Sequence, residues 1–274
     1  MDIQKLKIAF IGGGNMSSCI FNGIVKTRPH QDEITVSGPH LEKLQHFKDD
    51  GATITTSNVT SLQNADVVFL GVKPQMMPEV LDEIKQSGVP YEDKLFISMA
   101  AGWRLVAFEH RLGPCRMIRI MPNTPAKLGL GVTAVCPGPH ATAEDQAICQ
   151  ELLKGLGLTV MTDETGINSL GALAGSAPAF LYRFLEAMVA ETEKYGFSPE
   201  MSRGIIEQMA LGTVQMVREN HDTEISALRE AVTSKGGTTF QGLKQMTDYK
   251  FEEMMTAAID ACMRRTHEFE EMFD

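Results

Sequence analysis

Two short stretches of this 274-residue chain join adjacent glycines to small polar residues, and both have the makings of an anion site. The first is "IGGGNMSS", residues 11–18; the second is "SKGGTTFQGLK", residues 234–244. In the first, Gly12 and Gly14 have the spacing of the opening two glycines of a dinucleotide-binding turn. One permits a tight strand-to-helix turn, and the other lets a pyrophosphate approach the backbone. The helix start that follows offers unpaired N–H groups and a positive dipole end to phosphates. Ser17 stands where a third glycine or alanine usually gives close helix–strand packing. In the second stretch Gly236 and Gly237 interrupt a helical run, and Ser234, Thr238 and Thr239 bring hydroxyls to a new helix start. That suits a carboxylate held without a buried cation. On local grounds a helix–helix corner with capping residues accounts for it at least as well.

The surrounding elements decide how such residues are presented. Short apolar runs at 6–11, 34–37, 66–72, 95–99, 116–121, 132–136 and 158–162 read as strands buried on both faces. Segments of helical period lie between several of them, at 15–26, 41–48, 76–86, 105–112 and 143–153. Thr142, followed three residues later by Asp145, resembles an N-cap for the last of these. Alternating strands and helices imply a mostly parallel sheet, which binds ligands at the carboxyl ends of its strands. Three further loops fall at such ends: "VKP" with Lys73 and Pro74, "AAG" with Ala101, and "MPNTPA" with Asn123 between prolines. The second strand ends in Ser37-Gly38-Pro39-His40 without the acid that usually holds an NAD ribose, so NADPH is favoured, with NADH left open.

After about residue 163 the strand signals stop. Helical runs cover 178–195, 199–220, 224–232 and 251–273, and another begins near Phe240. Ser198 before Pro199 is a sound helix start. "LAGSAPAF" (173–180) resembles a break between helices. The run 203–217 is apolar on more than one face, which predicts burial, in a chain of this size against a second subunit. The expected organisation is therefore α/β: a dinucleotide-binding Rossmann-type domain over 1–163, then an all-α domain over 164–274.

Composition narrows the function. A net charge of −10 with no basic cluster argues against nucleic acid and anionic membranes as partners. Five scattered cysteines suggest neither zinc nor disulfides; with no charged-then-apolar leader, they point to a reducing cytoplasm. No metal site is expected.

Taken in order, "FIGGGNM", "VKP", "AAG", "MPNTPA", "GSAPAF" and "LREAVTSKGGTTFQGL" resemble the pyrroline-5-carboxylate reductase family over essentially the whole chain. The resemblance implies reduction of a cyclic imine carboxylate by NADPH, sometimes NADH, in the last step of proline biosynthesis. It also implies a helical domain that forms a homodimer, with dimers assembling into larger rings. Carried across by motif, Ile11, Gly12, Gly14, Asn15 and Met16 would cradle the pyrophosphate, and Ser37 would lie near the adenosine ribose. Asn58, Val72, Lys73 and Ala101 would complete the cofactor cleft. Gly237, Thr238 and Thr239 would hold the substrate, Thr239 bonding the ring nitrogen, and Asp222 stands where the family often carries an acid. Three features depart from the family pattern: Lys235 replaces proline, "AGSAPAF" replaces a phrase richer in glycine and serine, and Ser17 replaces a small apolar residue. A protonated cyclic imine needs orientation and a partner for its nitrogen rather than a strong general acid. The rival readings are a hydroxyacid-type dehydrogenase, opposed by the absence of a lysine in 176–188, and a non-catalytic NADPH sensor.

Overall fold

The structure is a computed structural model that describes residues 5–27 and 33–273. It divides into two compact units, one of residues 1–176 with 262–274, the other of residues 177–261.

The first unit is built on an eight-stranded sheet. Its strands are β1 (Ile8–Ile11), β2 (Ile34–Ser37), β3 (Thr53–Thr55), β4 (Val67–Leu70), β5 (Leu95–Ser98), β6 (Arg116–Pro122), β7 (Gly131–Pro137) and β8 (Gly157–Met161), in the order 3-2-1-4-5-6-7-8. Every neighbouring pair is parallel except β6 with β7. β1, β4 and β5 are buried at every residue, as strands covered on both faces must be. On one face Phe10 stacks on Phe69 at 4.7 Å, with Phe21 and Phe47 edge-on nearby. On the other, Trp103, Phe108 and Phe96 fill the space above β4 and β5.

The covering helices are α1 (Asn15–Thr27), α2 (Leu41–Asp49), α3 (Asn58–Gln63), α4 (Met77–Gln86), α5 (Leu105–Leu112), α6 (Ala143–Leu153) and α7 (Glu164–Leu170). The Thr142–Asp145 signal is a full capping box, each side chain bonding the other's backbone N–H. β3 and α3 were absent from the sequence reading. A three-residue strand shows no period, and α3 is one short stretch capped by Ser57, which accepts from Thr60 N–H at 3.1 Å.

The chain leaves β1 toward β2 and β3, then returns to place β4 on the other side of β1. That reversal opens a crevice at the carboxyl ends of β1 and β4.

The expected break at 173–180 is instead continuous winding. A π-helical turn over Gly171–Ser176 leads straight into α8 (Ala177–Lys194). Pro178 has no N–H for the carbonyl four residues back, and the Asn123 amide donates to that Ala174 oxygen at 3.0 Å.

The second unit holds α8, α9 (Pro199–Glu219), α10 (Ile225–Ala231), α11 (Thr238–Asp248) and the first half of α12 (Phe251–Phe273). Ser198 caps α9 as expected, accepting from Met201 N–H. The burial predicted for 203–217 is not supplied within the chain: Ile206 is buried, but Leu211 is 66% exposed and Val214 54%. α8, α10 and α11 bury no residue at all. An apolar helical unit so open lacks a core of its own and needs another subunit to cover it.

α12 also departs from the expected grouping. Its last twelve residues, from Cys262, belong to the first unit, where Asn168 donates to Glu270 at 2.7 Å and Phe273 stacks on Trp103.

Candidate functional site

In the first unit the crevice is bordered by the β1–α1 turn. Gly12 has φ +97° and donates its N–H to the Ser37 carbonyl; a Cβ there would lie 2.8 Å from the Gly71 backbone. Only glycine satisfies both demands. Gly14 is different: it is exposed, and an added Cβ would meet nothing nearer than Gly71 O at 3.9 Å. No packing within the chain requires glycine at 14, whereas a phosphate lying on the backbone would. Asn15, also exposed, begins α1, and Met16 is half-buried beside the core. Ile11 ends β1 inside the core. The residues present therefore fit a dinucleotide pyrophosphate.

Ser17, in the third position of the motif, packs in an inverted way. Its buried hydroxyl lies against Gly71, where an added Cβ would stand 2.1 Å from Oγ. The small residue needed for close packing has moved from the helix to the strand end. Among the described residues Ser17 Oγ has no hydrogen-bond partner.

Ser37 is fully buried, and its hydroxyl donates to Asn58 Oδ1 at 2.8 Å. Asn58 in turn donates to Glu83 at 2.7 Å, which fixes its amide. Ser37 thus holds Asn58 in place instead of offering its own side chain to a ribose. Pro39 and His40, just beyond β2, are exposed and carry no acid. Lys73 is exposed at the end of the β4 loop; Val72 and Ala101 are half-buried. Asn123 is buried, with both ends of its amide committed, one to Ala174 O and the other accepting from Val132 N–H at 2.9 Å. It braces the chain.

Two side chains absent from the sequence reading enter this region. His46 of α2 reaches Ser18 Oγ at 2.9 Å, and Ser18 Oγ lies 3.1 Å from the Gly14 carbonyl. With the Ser18 proton on that carbonyl, His46 Nε2 is the donor, and the glycine turn is tied to α2. Trp103 donates its indole N–H to the Pro74 carbonyl at 3.0 Å, joining the loops after β4 and β5. Both links span 28 residues or more, beyond any local pattern.

In the second unit Gly237 N–H donates to Ser234 O at 3.0 Å, and Gly236 has φ +75°. This is a type II turn with Lys235 at its second position. Gly237 then begins α11, whose N-terminus no side chain caps. A Cβ on Gly237 would strike Ser234 Oγ at 2.4 Å. Thr238 and Thr239 are exposed on the first helical turn. Asp222 lies in the turn before α10, 3.4 Å from His221 and without a hydrogen bond to this loop among the described residues.

A Rossmann-type sheet with an open glycine turn, followed by an uncovered helical unit, defines an oxidoreductase that uses a nicotinamide dinucleotide and associates through helices. Two family models fit: NADP oxidoreductase, coenzyme F420-dependent, over residues 7–102, and pyrroline-5-carboxylate reductase dimerisation over residues 164–269. The chain is 39% identical to a pyrroline-5-carboxylate reductase of Vibrio alginolyticus, covering 99% of this chain and 100% of that one. A Haemophilus influenzae reductase of the same name is 37% identical at the same coverage. The solved structure of a Coxiella burnetii pyrroline-5-carboxylate reductase superposes with a TM-score of 0.88 at 32% identity, covering 96% of this chain and 98% of that one. A Plasmodium falciparum pyrroline carboxylate reductase with NADP bound gives 0.87 at 25% identity, covering 97% and 99%. The chain belongs to the pyrroline-5-carboxylate reductase family.

Proposed function

We propose that this chain reduces 1-pyrroline-5-carboxylate to L-proline with NADPH, in the final step of proline biosynthesis. The observation that carries the reading is the pairing of an open glycine turn at β1 with an uncapped, hydroxyl-rich helix start at α11. The first suits a pyrophosphate and the second a small carboxylate. NADPH, when bound, supplies the hydride; NADH is the alternative donor.

Gly12, Gly14, Asn15 and Met16 hold the pyrophosphate, with Ile11 fixing the strand end behind them. Ser37 acts through Asn58 on the adenosine side, and the missing acid after β2 leaves room for a 2′-phosphate. Val72, Lys73 and Ala101 line the nicotinamide side, and Asn123 acts as a brace behind it. In the helical unit Ser234 and Gly237 shape the turn beside the substrate, the amides of Thr238 and Thr239 at the start of α11 hold the substrate carboxylate, and the Thr239 hydroxyl orients the ring nitrogen. Asp222 is placed with this group as an outer member. The imine nitrogen enters protonated, so orientation replaces a general acid. We propose 1–163 as the cofactor domain and 164–274 as the substrate and dimerisation domain, with residues 164–176 and the last turns of α12 lent to the cofactor domain's packing.

The working form is a homodimer assembled into a ring, supported at the first level by the uncovered faces of α8 and α9. Five unpaired cysteines support a reducing cytoplasm, and no helix among the described residues is long and apolar enough to cross a membrane.

The test is NADPH consumption by the full-length protein with pyrroline-5-carboxylate and, separately, with 2- and 3-hydroxyacids and NADP. Turnover of the imine alone is expected. Oxidation of a hydroxyacid without imine turnover would replace this reading by the dehydrogenase one.

A further inference from the structure

We propose that Trp103, held by the last turns of α12, positions the nicotinamide side of the cofactor cleft. The inference rests on the cofactor reading above and concerns residues that no motif assigns.

Trp103 follows the "AAG" loop at the end of β5, is 1% exposed, and is the only tryptophan in the chain. Its indole N–H donates to Pro74 O, in the loop after β4, at 3.0 Å. One side chain therefore ties together the two loops that leave neighbouring parallel strands on the same side of β1. β2 and β3 lie on the opposite side, where the adenosine half belongs, so the β4 and β5 loops serve the nicotinamide half.

The indole is fixed in its turn from behind. Phe273 stacks on it with centroids 5.8 Å apart and planes 24° from parallel, Phe108 packs at 5.2 Å, and the Arg111 guanidinium lies 5.8 Å above the ring. Gly102, at φ +78°, rests against α12 so closely that an added Cβ would lie 2.8 Å from Phe269 Cβ. Asn168 to Glu270 anchors the same helical turns. The end of the chain thus forms the back wall of the loop that carries Ala101.

Trp103→Phe keeps a ring for Phe273 to stack on, removes the donor to Pro74 and leaves a small void where the larger indole stood. The experiment measures binding of NADPH and of adenosine 2′,5′-bisphosphate to the full-length protein by calorimetry. The second ligand has the adenosine end and no nicotinamide. Loss of one hydrogen bond at a loop junction predicts about a fivefold weaker dissociation constant for NADPH, with the bisphosphate unchanged within about twofold. Phe273→Ala should shift NADPH in the same direction and move Trp103 emission to the red, and Phe273→Leu should recover most of the loss. Equal weakening of both ligands, or no change in either, would overturn the proposal, since a general loosening of the fold does not favour one end of the cofactor. A wild-type protein that binds neither ligand would overturn the cofactor reading itself. If Trp103→Phe does not fold, the two Phe273 variants carry the same comparison.

Discussion

Lys235 occupies the second position of the Ser234–Gly237 turn, where proline is favoured because its fixed φ matches a type II turn. Its N–H takes part in no hydrogen bond among the described residues, so proline would remove nothing the turn uses. Lys235→Pro should therefore raise stability by about 0.4–1 kcal/mol, mainly by restricting the unfolded chain, and lower KM for the imine. Thermal melts and steady-state kinetics check both. Thr239→Ala tests the neighbouring assignment: kcat/KM for the imine should fall roughly ten- to hundredfold while the NADPH dissociation constant stays close to wild type. Equal losses in both would place the substrate elsewhere. At this scale the sequence showed residue types well and partners poorly. Gly12 and Gly236 were legible because their backbone angles demand glycine. The burial of the Ser37 hydroxyl and the reach of His46 to Ser18 depend on packing between distant segments, which leaves no local trace.

α6 is held at its start by more than its capping box. Asp145 is fully buried and takes hydrogen bonds from Thr142 N–H and Oγ1, both at 2.8 Å, and from Arg116 Nε at 3.1 Å, with Arg116 Nη2 also in contact. Burial by itself pushes the carboxyl pKa up, but the bonds from Arg116 and Thr142 outweigh it and hold the group below the usual carboxylate range. A depressed carboxylate pKa stabilises the fold above the unfolded value, and that contribution is lost as pH falls through the folded one. Denaturation curves should thus show this part of the stability intact across neutral pH and fading only below the ordinary range for aspartate. Arg116→Met leaves the buried carboxylate without its cation. It should cost about 2–3 kcal/mol near neutrality, and the share of stability that Asp145 loses on acidification should shrink relative to wild type, because its folded pKa no longer lies so far below the unfolded value. Long periodic elements such as α6 and α9 were plain from spacing and caps. β3, α3 and the π-helical turn were not, because the first two are too short to repeat and the third depends on Asn123 reaching Ala174 across 51 residues.

The helical unit defines the molecule as a whole by what it leaves uncovered. Leu211 and Val214 on α9 and Tyr182 on α8 are each more than half exposed, although their sequence marks them for burial. A single Leu211→Asp substitution places a charge in this open apolar face, and should yield smaller species in light scattering together with loss of imine turnover. The fold class and the order of the two parts could be read from where strand signals stop, at about residue 163. The return of α12 to the first unit could not: the helical period of 251–273 is uniform and carries no sign that its two halves serve different units. That return bears on how the protein is made. A ribosome delivers residues 1–176 first, yet Trp103 and Gly102 receive their packing partners only with Phe269 and Phe273, which follow the whole of residues 177–261. The nucleotide-binding half thus emerges early and stays unfinished until the helical unit between its two segments has been made, so a nascent chain stalled within residues 177–261 lacks the wedge against the indole.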